Sequence, residues 1–321
     1  MRATVIRNLG GPEVLVTEDV DDPVAGSGEV VVEIAGAGLN FIDTYHRTGL
    51  YPVELPFTPG LEAAGRVVSI GSGVEGLSSG DRVAFCSRLG AYSERTAIPA
   101  DQLVPVPEAV SLDTAAASMV QGLTALYLAT ETYSLEDGST CLIHAGAGGV
   151  GLILTQMAKQ LGATVFTTVG SDAKAEISRA AGADHVIVYS REDFGDRVRE
   201  IGGERPLDVI YDGVGRATVP TGFGLLRRFG LMVAFGNASG AVDPVDPLVL
   251  SANGSLFFTR PTLFDHVAER DSLLAMSERL FDWIADGMEV RIGARYPLES
   301  AADAHRALEG RATTGKVLIV P

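Results

Sequence analysis

The chain has 321 residues, of which 46% are hydrophobic and 21% are charged. This length predicts about two domains, and the near-average composition excludes a disordered or fibrous chain. Aspartate and glutamate total 41 against 25 lysines and arginines, which gives a formal net charge of −16. Because phosphate backbones and anionic lipids repel so acidic a protein, we expect neither DNA, RNA nor a membrane surface as its main partner.

The two cysteines, Cys86 and Cys141, are too few for a disulfide framework or a four-cysteine zinc site. The N-terminal segment lacks the apolar stretch of a secretory signal. No segment reaches the ~18 uninterrupted apolar residues that a membrane span needs. We therefore expect a globular protein of the cytoplasm.

Residues 1–110 show the pattern of a β-rich domain. Short runs of β-branched residues alternate with clusters of glycine, proline and aspartate, which are typical of turns. Close strand spacing with frequent glycine favours a small barrel or sandwich. The predicted strands are 14–16, 30–34, 65–70 and 82–85.

From residue 140 onward, apolar strands alternate with helices. This alternation indicates a parallel sheet covered on both faces, and six such strands match a doubly wound dinucleotide-binding sheet. The predicted strands are 140–144, 164–169, 185–189, 207–212, 231–235 and 255–259. The predicted helices are 150–161, 173–181, 193–201 and 218–226.

After Arg260 the alternation stops. Apolar residues at helical spacing predict one long amphipathic helix over 263–285. A short helix over 300–308 and a last strand over 316–320 follow, and we expect this tail to return to the first domain. The predicted domains are then 1–121 with 261–321, and 122–260.

A glycine-rich loop, GAGGVG, joins the first strand of this sheet to the helix after it. Gly146, Gly148 and Gly151 form the pattern G-x-G-x-x-G in the strand-then-helix context of a dinucleotide site. The first glycine permits a tight turn, the second lets the backbone approach a pyrophosphate, and the third lets helix and strand pack closely. The helix N-terminus then faces the phosphates with free N–H groups and a partial positive charge.

The end of the second strand distinguishes NADPH from NADH. NAD sites hold the ribose 2′-OH with a carboxylate there, but this strand ends in TTVGS and the first acid, Asp172, comes late. Lys174 follows closely and suits a 2′-phosphate. We therefore expect NADPH as the cofactor, although Lys174 could instead be a solvated lysine on a helix face.

Several long motifs occur in one order along nearly the whole chain: GGPEVL (10–15), GLNFIDTYHRTGLYP (38–52), PGLEAAGRVVSIGSGV (59–74), GDRVAF (80–85), HAGAGGVGL (144–152), YDGVGR (211–216), FGNASGAV (235–242), TRPTL (259–263) and RATTGKVLIVP (311–321). By these motifs the chain resembles the zinc-free quinone oxidoreductase (ζ-crystallin-like) family of the medium-chain dehydrogenase/reductase superfamily, and most closely the bacterial NADPH:quinone reductases. The resemblance implies an α/β protein with a GroES-like, β-rich catalytic domain and a Rossmann domain with a doubly wound parallel six-stranded sheet.

The same segments lack the zinc ligands of the zinc alcohol dehydrogenases in this superfamily. Those enzymes carry a cysteine in a G-x-C segment and a histidine in G-H-E, where this chain has Asn40 and Leu61. Leu61 cannot bind a metal, and a neutral amide is a poor substitute for a thiolate. The resemblance therefore implies a site without metal.

The resemblance places the substrate site on residues 40–51. It implies that Asn40 and Tyr45 are the catalytic residues, which line the nicotinamide pocket and hydrogen-bond a quinone oxygen, while the quinone ring stacks on Tyr51. Asp43 belongs to the same site and is expected to orient Tyr45 or a backbone turn. A second interpretation stays open, in which Asn40 and Asp43 cap a helix that starts near Phe41.

The other NADPH contacts are also implied by the resemblance. Asn40 and Thr124 would lie at the nicotinamide, the glycine loop at the pyrophosphate, and later residues around the adenosine ribose and its phosphate. His144 is expected to be a core histidine rather than a catalyst. The full set of cofactor contacts is Asn40, Thr124, Gly146, Gly148, Gly149, Val150, Gly151, Gly170, Lys174, Tyr189, Phe235, Gly236, Asn237, Arg260 and Arg311.

Reduction of a quinone requires an acceptor held against the nicotinamide, exclusion of water and a donor for the charge that develops on the acceptor oxygen. From the resemblance we expect an NADPH-dependent reductase of a small quinone. Two alternatives stay open: a reductase of enoyl thioesters or alkenals and, from another class, a ζ-crystallin-like nucleotide- or RNA-binding protein with little catalysis. The resemblance implies that the sixth strand, 255–259, pairs across a two-fold axis, so we predict a homodimer; its apolar run would otherwise be an exposed edge.

Overall fold

The computed structural model describes residues 1–321. Its strands are β1 (Arg2–Val5), β2 (Val16–Asp19), β3 (Glu29–Leu39), β4 (Ala63–Ile70), β5 (Arg82–Phe85), β6 (Arg95–Pro99), β7 (Val104–Pro105), β8 (Thr140–Ile143), β9 (Thr164–Val169), β10 (His185–Val188), β11 (Leu207–Asp212), β12 (Leu226–Ala234), β13 (Phe257–Thr259), β14 (Ile292–Pro297) and β15 (Lys316–Val320). Its α-helices are α1 (Phe41–Thr48), α2 (Leu112–Tyr127), α3 (Gly149–Gln160), α4 (Asp172–Ala180), α5 (Phe194–Gly202), α6 (Val219–Gly222), α7 (Pro247–Ala252), α8 (Leu263–His266), α9 (Arg270–Ala285) and α10 (Ala301–Glu309).

The chain divides into two compact units. Unit 1 comprises Met1–Leu123 and His266–Pro321, and unit 2 comprises Thr124–Asp265. The domain boundaries predicted above fall within α2 and just after β13, and they stay a prediction. None of the helices is long and apolar enough to span a membrane.

Unit 1 is built on a seven-stranded sheet in the order β14-β15-β3-β4-β5-β7, with β6 paired to β3. β15 runs parallel to β14 and antiparallel to β3. In this register Val317 lies opposite Leu39, and Ala37 lies opposite Ala63. The end of β3 therefore meets the starts of β4 and β15 at one end of the sheet, where the polar residues described below converge.

Unit 2 contains a sheet of six parallel strands in the order β10-β9-β8-β11-β12-β13. Numbered within the unit this is 3-2-1-4-5-6, the order of a doubly wound dinucleotide-binding sheet, so the predicted Rossmann architecture is confirmed. β9 and β11 begin and end where the sequence predicts. Both strands are almost wholly buried, as expected of central strands covered on two faces.

Two predicted elements differ from the structure because turns interrupt them. The segment 14–16 is not a strand: Pro12–Val14 forms a 3-10 turn with proline at its first position, and β2 begins only at Val16. The predicted helix 218–226 is wrong beyond its first turn, since α6 ends at Gly222 and β12 already starts at Leu226. Glycine at 222 and 224 disfavours continuation of that helix.

The predicted helix 263–285 is two helices, α8 and α9. The chain leaves the helical conformation at Glu269, whose backbone is extended (φ −92°, ψ 137°). Apolar Val267 is buried between the two helices, so the apolar pattern runs through the break and hides it. Sequence patterning also misses four strands of unit 1, β1, β6, β7 and β14, which are short or alternate only between half-buried and exposed residues.

Candidate functional site

The GAGGVG loop joins β8 to α3 with little space around its glycines. A Cβ on Gly151 would lie 2.4 Å from the backbone oxygen of Ala145, and a Cβ on Gly146 would lie 2.5 Å from Cβ of Thr167. The helix and the loop therefore approach as closely as a dinucleotide fingerprint requires.

The N-terminus of α3 has the features of an anion site. Gly148 is the N-cap residue, and no acidic side chain lies in the first turn. The first N–H groups of a helix have no intrahelical partner, and Gly148, Gly149 and Val150 are all partly exposed. These residues fit the pyrophosphate of a dinucleotide.

A cluster with two cations lies at the carboxyl ends of β9 and β10. Tyr189 comes directly after β10 and is 45% exposed, and its hydroxyl would lie 2.8 Å from a Cβ placed on Gly170. Lys174 lies in the first turn of α4. Asp172 does not stand alone, because Arg191 contacts its two carboxylate oxygens at 2.9 and 3.1 Å. Asp172 paired with Arg191, together with Lys174, fits a 2′-phosphate better than a bare 2′-OH.

Polar groups also follow the fifth and sixth strands of the unit 2 sheet. Phe235 N–H donates to the Asp212 backbone oxygen at 2.8 Å, directly before Gly236. Arg260 Nη1 donates to the Ala234 oxygen at 2.6 Å. With the amide oxygen of Asn237 turned toward Arg260, Nη2 donates to it at 3.2 Å. These residues lie at the carboxyl edge, where sheets of this type bind ligands.

His144 lies inside the unit 2 sheet and is 2% exposed. Its Nδ1 is 2.8 Å from the Thr168 hydroxyl, and Nε2 is 3.8 Å from an oxygen of Asp212. Burial lowers the pKa of His144, with Asp212 acting in the opposite direction. The environment is that of a core histidine.

Helix α1 in unit 1 and the segment after it carry three neighbouring aromatic rings. The rings of Tyr45 and Tyr51 pack edge to face with centroids 5.3 Å apart, and Phe41 lies 6.4 Å from Tyr45. The N–H of Tyr51 donates to the backbone oxygen of Tyr45 at 3.1 Å. The two tyrosines predicted for the substrate site thus pack against each other.

Asp43, in the first turn of this helix, is fully buried. Its Oδ2 accepts hydrogen bonds from the Asn40 N–H at 2.8 Å and from the Tyr92 hydroxyl at 3.1 Å. Burial raises the pKa of Asp43 to about 7, against the lowering effects of Asn40 N–H, Lys316 and Tyr92. Asp43 caps α1, as one of the two interpretations predicted, and it has no exposed surface with which to touch a substrate itself.

Asn40 is the N-cap residue of α1, and its side chain also makes hydrogen bonds outside the helix. Its Nδ2 donates to Glu62 Oε1 at 2.7 Å and to the Gly38 oxygen at 3.3 Å, while its Oδ1 accepts from Lys316 Nζ at 2.8 Å. Lys316 and Glu62 form a hydrogen-bonded ion pair, and both are at most 1% exposed. The contact with Gly38 is the longest that Nδ2 makes, so this proton is the one most easily given to a ligand.

Two further predicted contacts lie on α2 and after α10. Thr124 is a buried residue of α2 at the start of unit 2. Arg311 belongs to unit 1, is exposed and follows α10 in a left-handed conformation with φ 56°.

Sequence patterns missed four residues of these clusters: Glu62, Lys316, Tyr92 and Arg191. Glu62 directly follows Leu61, which stands where the zinc enzymes carry a histidine, and Lys316 looks like the first residue of an ordinary strand. Arg191 could have been found as a basic residue two positions beyond Tyr189. Only the fold brings Tyr92 under α1.

No three His, Cys, Asp or Glu side chains lie close enough together to hold a metal ion. Leu61, at the position of a zinc-ligating histidine in the resemblance above, is 4% exposed and apolar. The groups that converge here are instead an amide, a carboxylate and an ammonium.

The chain is similar to known proteins over nearly its whole length. The model of the alcohol dehydrogenase GroES-like domain matches residues 26–108, and the model of the zinc-binding dehydrogenase family matches residues 149–276. Quinone oxidoreductase 1 of Escherichia coli is 46% identical over 317 residues, which are 97% of both chains. The 2-haloacrylate reductase of Burkholderia sp is 40% identical over 328 residues, covering 99% of this chain and 98% of that protein.

A solved structure with the same fold contains a cofactor. The crystal structure of Escherichia coli quinone oxidoreductase complexed with NADPH superimposes with a TM-score of 0.97 at 44% identity, and the match covers 100% of both chains.

Proposed function

This chain belongs to the quinone oxidoreductase family of the medium-chain dehydrogenases and reductases, and we propose that it reduces a small quinone with NADPH. The observation that carries the proposal is the glycine loop at the acid-free N-terminus of α3, in a chain similar over its full length to an NADPH complex. When bound, NADPH supplies the reducing equivalents.

In unit 2, the loop Gly146–Gly151 and the first turn of α3 would hold the pyrophosphate, because their N–H groups and helix dipole favour an anion. Lys174 and Arg191 would compensate the charge of the 2′-phosphate, and Tyr189 would cover the adenosine. Thr124, Gly170, Phe235, Gly236, Asn237 and Arg260 complete the set that we propose for the cofactor in this unit, and Asn40 and Arg311 are the proposed contacts from unit 1.

In unit 1, Asn40, Tyr45 and Tyr51 are the residues that we propose for the quinone. The Nδ2 proton of Asn40 that now rests on the Gly38 oxygen at 3.3 Å would transfer its hydrogen bond to a quinone oxygen. A donor at this oxygen stabilises the negative charge that develops during reduction. Tyr51 would stack on the ring, and Asp43 supports the start of α1 without touching the substrate.

The edge of the unit 2 sheet supports a homodimer. β13 has no neighbour on its outer side, and Phe257 in this strand is 60% exposed. Leu248 of α7, nine positions before Phe257 in the chain, is 72% exposed. An apolar edge strand is prone to pair with another copy, so two chains would pair through β13. We place the dimer in the cytoplasm.

The test follows oxidation of NADPH and of NADH at 340 nm with 1,4-benzoquinone and, separately, with crotonyl-CoA, each with and without EDTA. The uncatalysed quinone rate is subtracted. Turnover with NADPH and the quinone, unchanged by EDTA, is the expected result.

Two other outcomes would contradict the proposal. Turnover with crotonyl-CoA alone would make the protein an enoyl-thioester reductase. Tight NADPH binding without turnover of either acceptor would make it a nucleotide-binding protein that lacks this chemistry.

A further inference from the structure

Asn40, Glu62 and Lys316 form a closed triangle of hydrogen bonds. Lys316 Nζ donates both to Glu62 Oε1 and to Asn40 Oδ1, and Asn40 Nδ2 donates to the same Glu62 oxygen. The three residues come from the end of β3, the start of β4 and the start of β15, which the sheet register holds side by side. The triangle is therefore set by the fold of unit 1.

The triangle permits only one orientation of the Asn40 amide. An ammonium has donors and no acceptor, whereas a carboxylate has acceptors and no donor. Rotating the amide by half a turn would place its oxygen against Glu62 and its NH₂ against Lys316, so that both contacts would become repulsive. The ion pair thus selects the amide rotamer with Nδ2 on the side of Gly38 and Glu62.

The ion pair is held by a backbone hydrogen bond and is buried away from solvent. Glu62 Oε2 accepts from the Val120 N–H at 2.6 Å, so both carboxylate oxygens are fixed. Glu62 is 0% exposed and Lys316 is 1% exposed. Burial lowers the pKa of Lys316, while Glu62 and then Asp43 oppose that change.

A buried ion pair such as Glu62–Lys316 is not explained well by a contribution to the stability of the fold alone. Desolvation of two charges offsets much of their attraction, and apolar replacements of buried ion pairs are often neutral or stabilising. A pair that directs a neighbouring polar group has a function that an apolar pair cannot perform.

We propose that Glu62 and Lys316 are positioning residues for the reduction, because their ion pair fixes the Asn40 amide with an N–H, rather than its carbonyl oxygen, available to the quinone. This inference rests on the proposed function. It adds two residues that touch no substrate and that act through Asn40.

The test is a double-mutant cycle on kcat for 1,4-benzoquinone. The variants are Lys316→Met, Asn40→Ala and the combination of both, with NADPH affinity followed by protein fluorescence. We expect Lys316→Met to lower kcat by about 10- to 100-fold, as for a misplaced reacting group, with the NADPH Kd within about twofold of wild type. In the Asn40→Ala background, Lys316→Met should have no further effect on kcat.

Losses of kcat that multiply in the combined variant would overturn the inference, since Lys316 would then act independently of Asn40. A wild-type kcat in Lys316→Met would overturn it as well. If the wild-type protein itself does not turn over, the proposed function fails, which is a different result.

A second variant covers the case in which an unpaired Glu62 prevents folding. Glu62→Gln with Lys316→Met removes both charges, so the fold is expected to persist, but the amide is no longer held in one orientation. Its kcat should stay low in a protein with a wild-type circular dichroism spectrum, and full recovery of kcat would reduce the pair to a structural role.

Arg295→Met is the matched control. Arg295 lies on β14, beside β15, and pairs with Asp113 at 2.7 Å, but both side chains are about half exposed. Removing this exposed pair should leave kcat and NADPH affinity unchanged.

Discussion

The hydroxyl of Tyr92 donates a hydrogen bond to Oδ2 of Asp43 at 3.1 Å, although both side chains are completely buried. Behind Tyr92, His305 Nε2 lies 3.4 Å from the same hydroxyl, and Arg47 Nη1 lies 3.1 Å from His305 Nδ1. Burial, and then Arg47, lowers the pKa of His305 to about 3. Because Arg47 can only donate, neutral His305 accepts at Nδ1 and carries its proton on Nε2. The donors therefore point in one direction, from Arg47 toward Asp43.

This network gives the stability of the protein a specific pH dependence. Burial raises the pKa of Asp43 from 3.8 to about 7. Between about pH 4 and pH 7 the folded protein therefore keeps a proton on Asp43 that the unfolded chain has already released. The contribution of Asp43 to the free energy of unfolding should fall across that window by at most about 1.4 kcal/mol per pH unit and be constant above it.

Asp43→Asn isolates the effect, since it keeps an oxygen for the Asn40 N–H and Tyr92 and does not titrate. Urea unfolding of both proteins at pH 5, 6, 7 and 8 measures the difference. The stability of wild type relative to Asp43→Asn should decrease with rising pH up to about pH 7. Parallel pH profiles would show that Asp43 is ionised throughout.

Gly38→Ala should destabilise the protein and lower kcat together. A Cβ at this position would lie 2.4 Å from Glu62 Oε1 and 2.5 Å from Lys316 Cε, so the ion pair must shift. Overpacking of this kind costs about 1–3 kcal/mol, which thermal unfolding measures. The matched control on the same strand is Gly36→Ala, whose Cβ would meet its nearest neighbours at 3.8 Å and should be tolerated.

Gly151→Ala should abolish tight NADPH binding. Its Cβ would approach the Ala145 backbone oxygen to 2.4 Å, and the backbone has no rotamer with which to yield. The start of α3 must then move away from the loop, and the N–H groups offered to a pyrophosphate move with it. Fluorescence titration with NADPH should show an affinity loss of about 100-fold. Gly224→Ala, also in unit 2, meets no atom closer than 3.4 Å and should bind normally.

Lys174→Ala should weaken NADPH much more than NADH. A charge-assisted hydrogen bond contributes about 1.5–3 kcal/mol, which corresponds to about a 10- to 100-fold change in KM for NADPH and little change for NADH. Lys159→Ala serves as the control. Lys159 forms an ion pair with Asp184, with 2.8 Å between Nζ and Oδ2, and neither residue belongs to α4. An equal effect of Lys174→Ala on both cofactors would show that Lys174 does not contact the 2′-phosphate.

The sequence predicts unit 2 better than unit 1, for a physical reason. β9 and β11 are central strands buried on both faces, so their apolar runs end where the strands end. β14 is an edge strand whose residues alternate between half-buried and exposed, so its pattern resembles that of a loop. Local patterns report burial, and an edge strand has little.

The candidate site shows the same limit. Asn40, Tyr45 and the glycine loop lie in local motifs and can be read from the sequence alone. Lys316 is 276 positions from Asn40, and only the pairing of β15 with β3 makes them neighbours. A charged residue at the start of a strand normally indicates solvent, and its burial depends on a partner that no local pattern reveals.

The position of β15 between β14 and β3 also determines when each unit can finish folding as the chain is synthesised. Unit 2 is one continuous stretch, Thr124–Asp265, and can fold as soon as it leaves the ribosome. The sheet of unit 1, by contrast, has an open place beside β3 until residues 316–320 have been made. Until then the carboxylate of Glu62 lacks the ammonium of Lys316, and the sheet formed by the N-terminal part of the chain stays incomplete until the C-terminal strand has been synthesised.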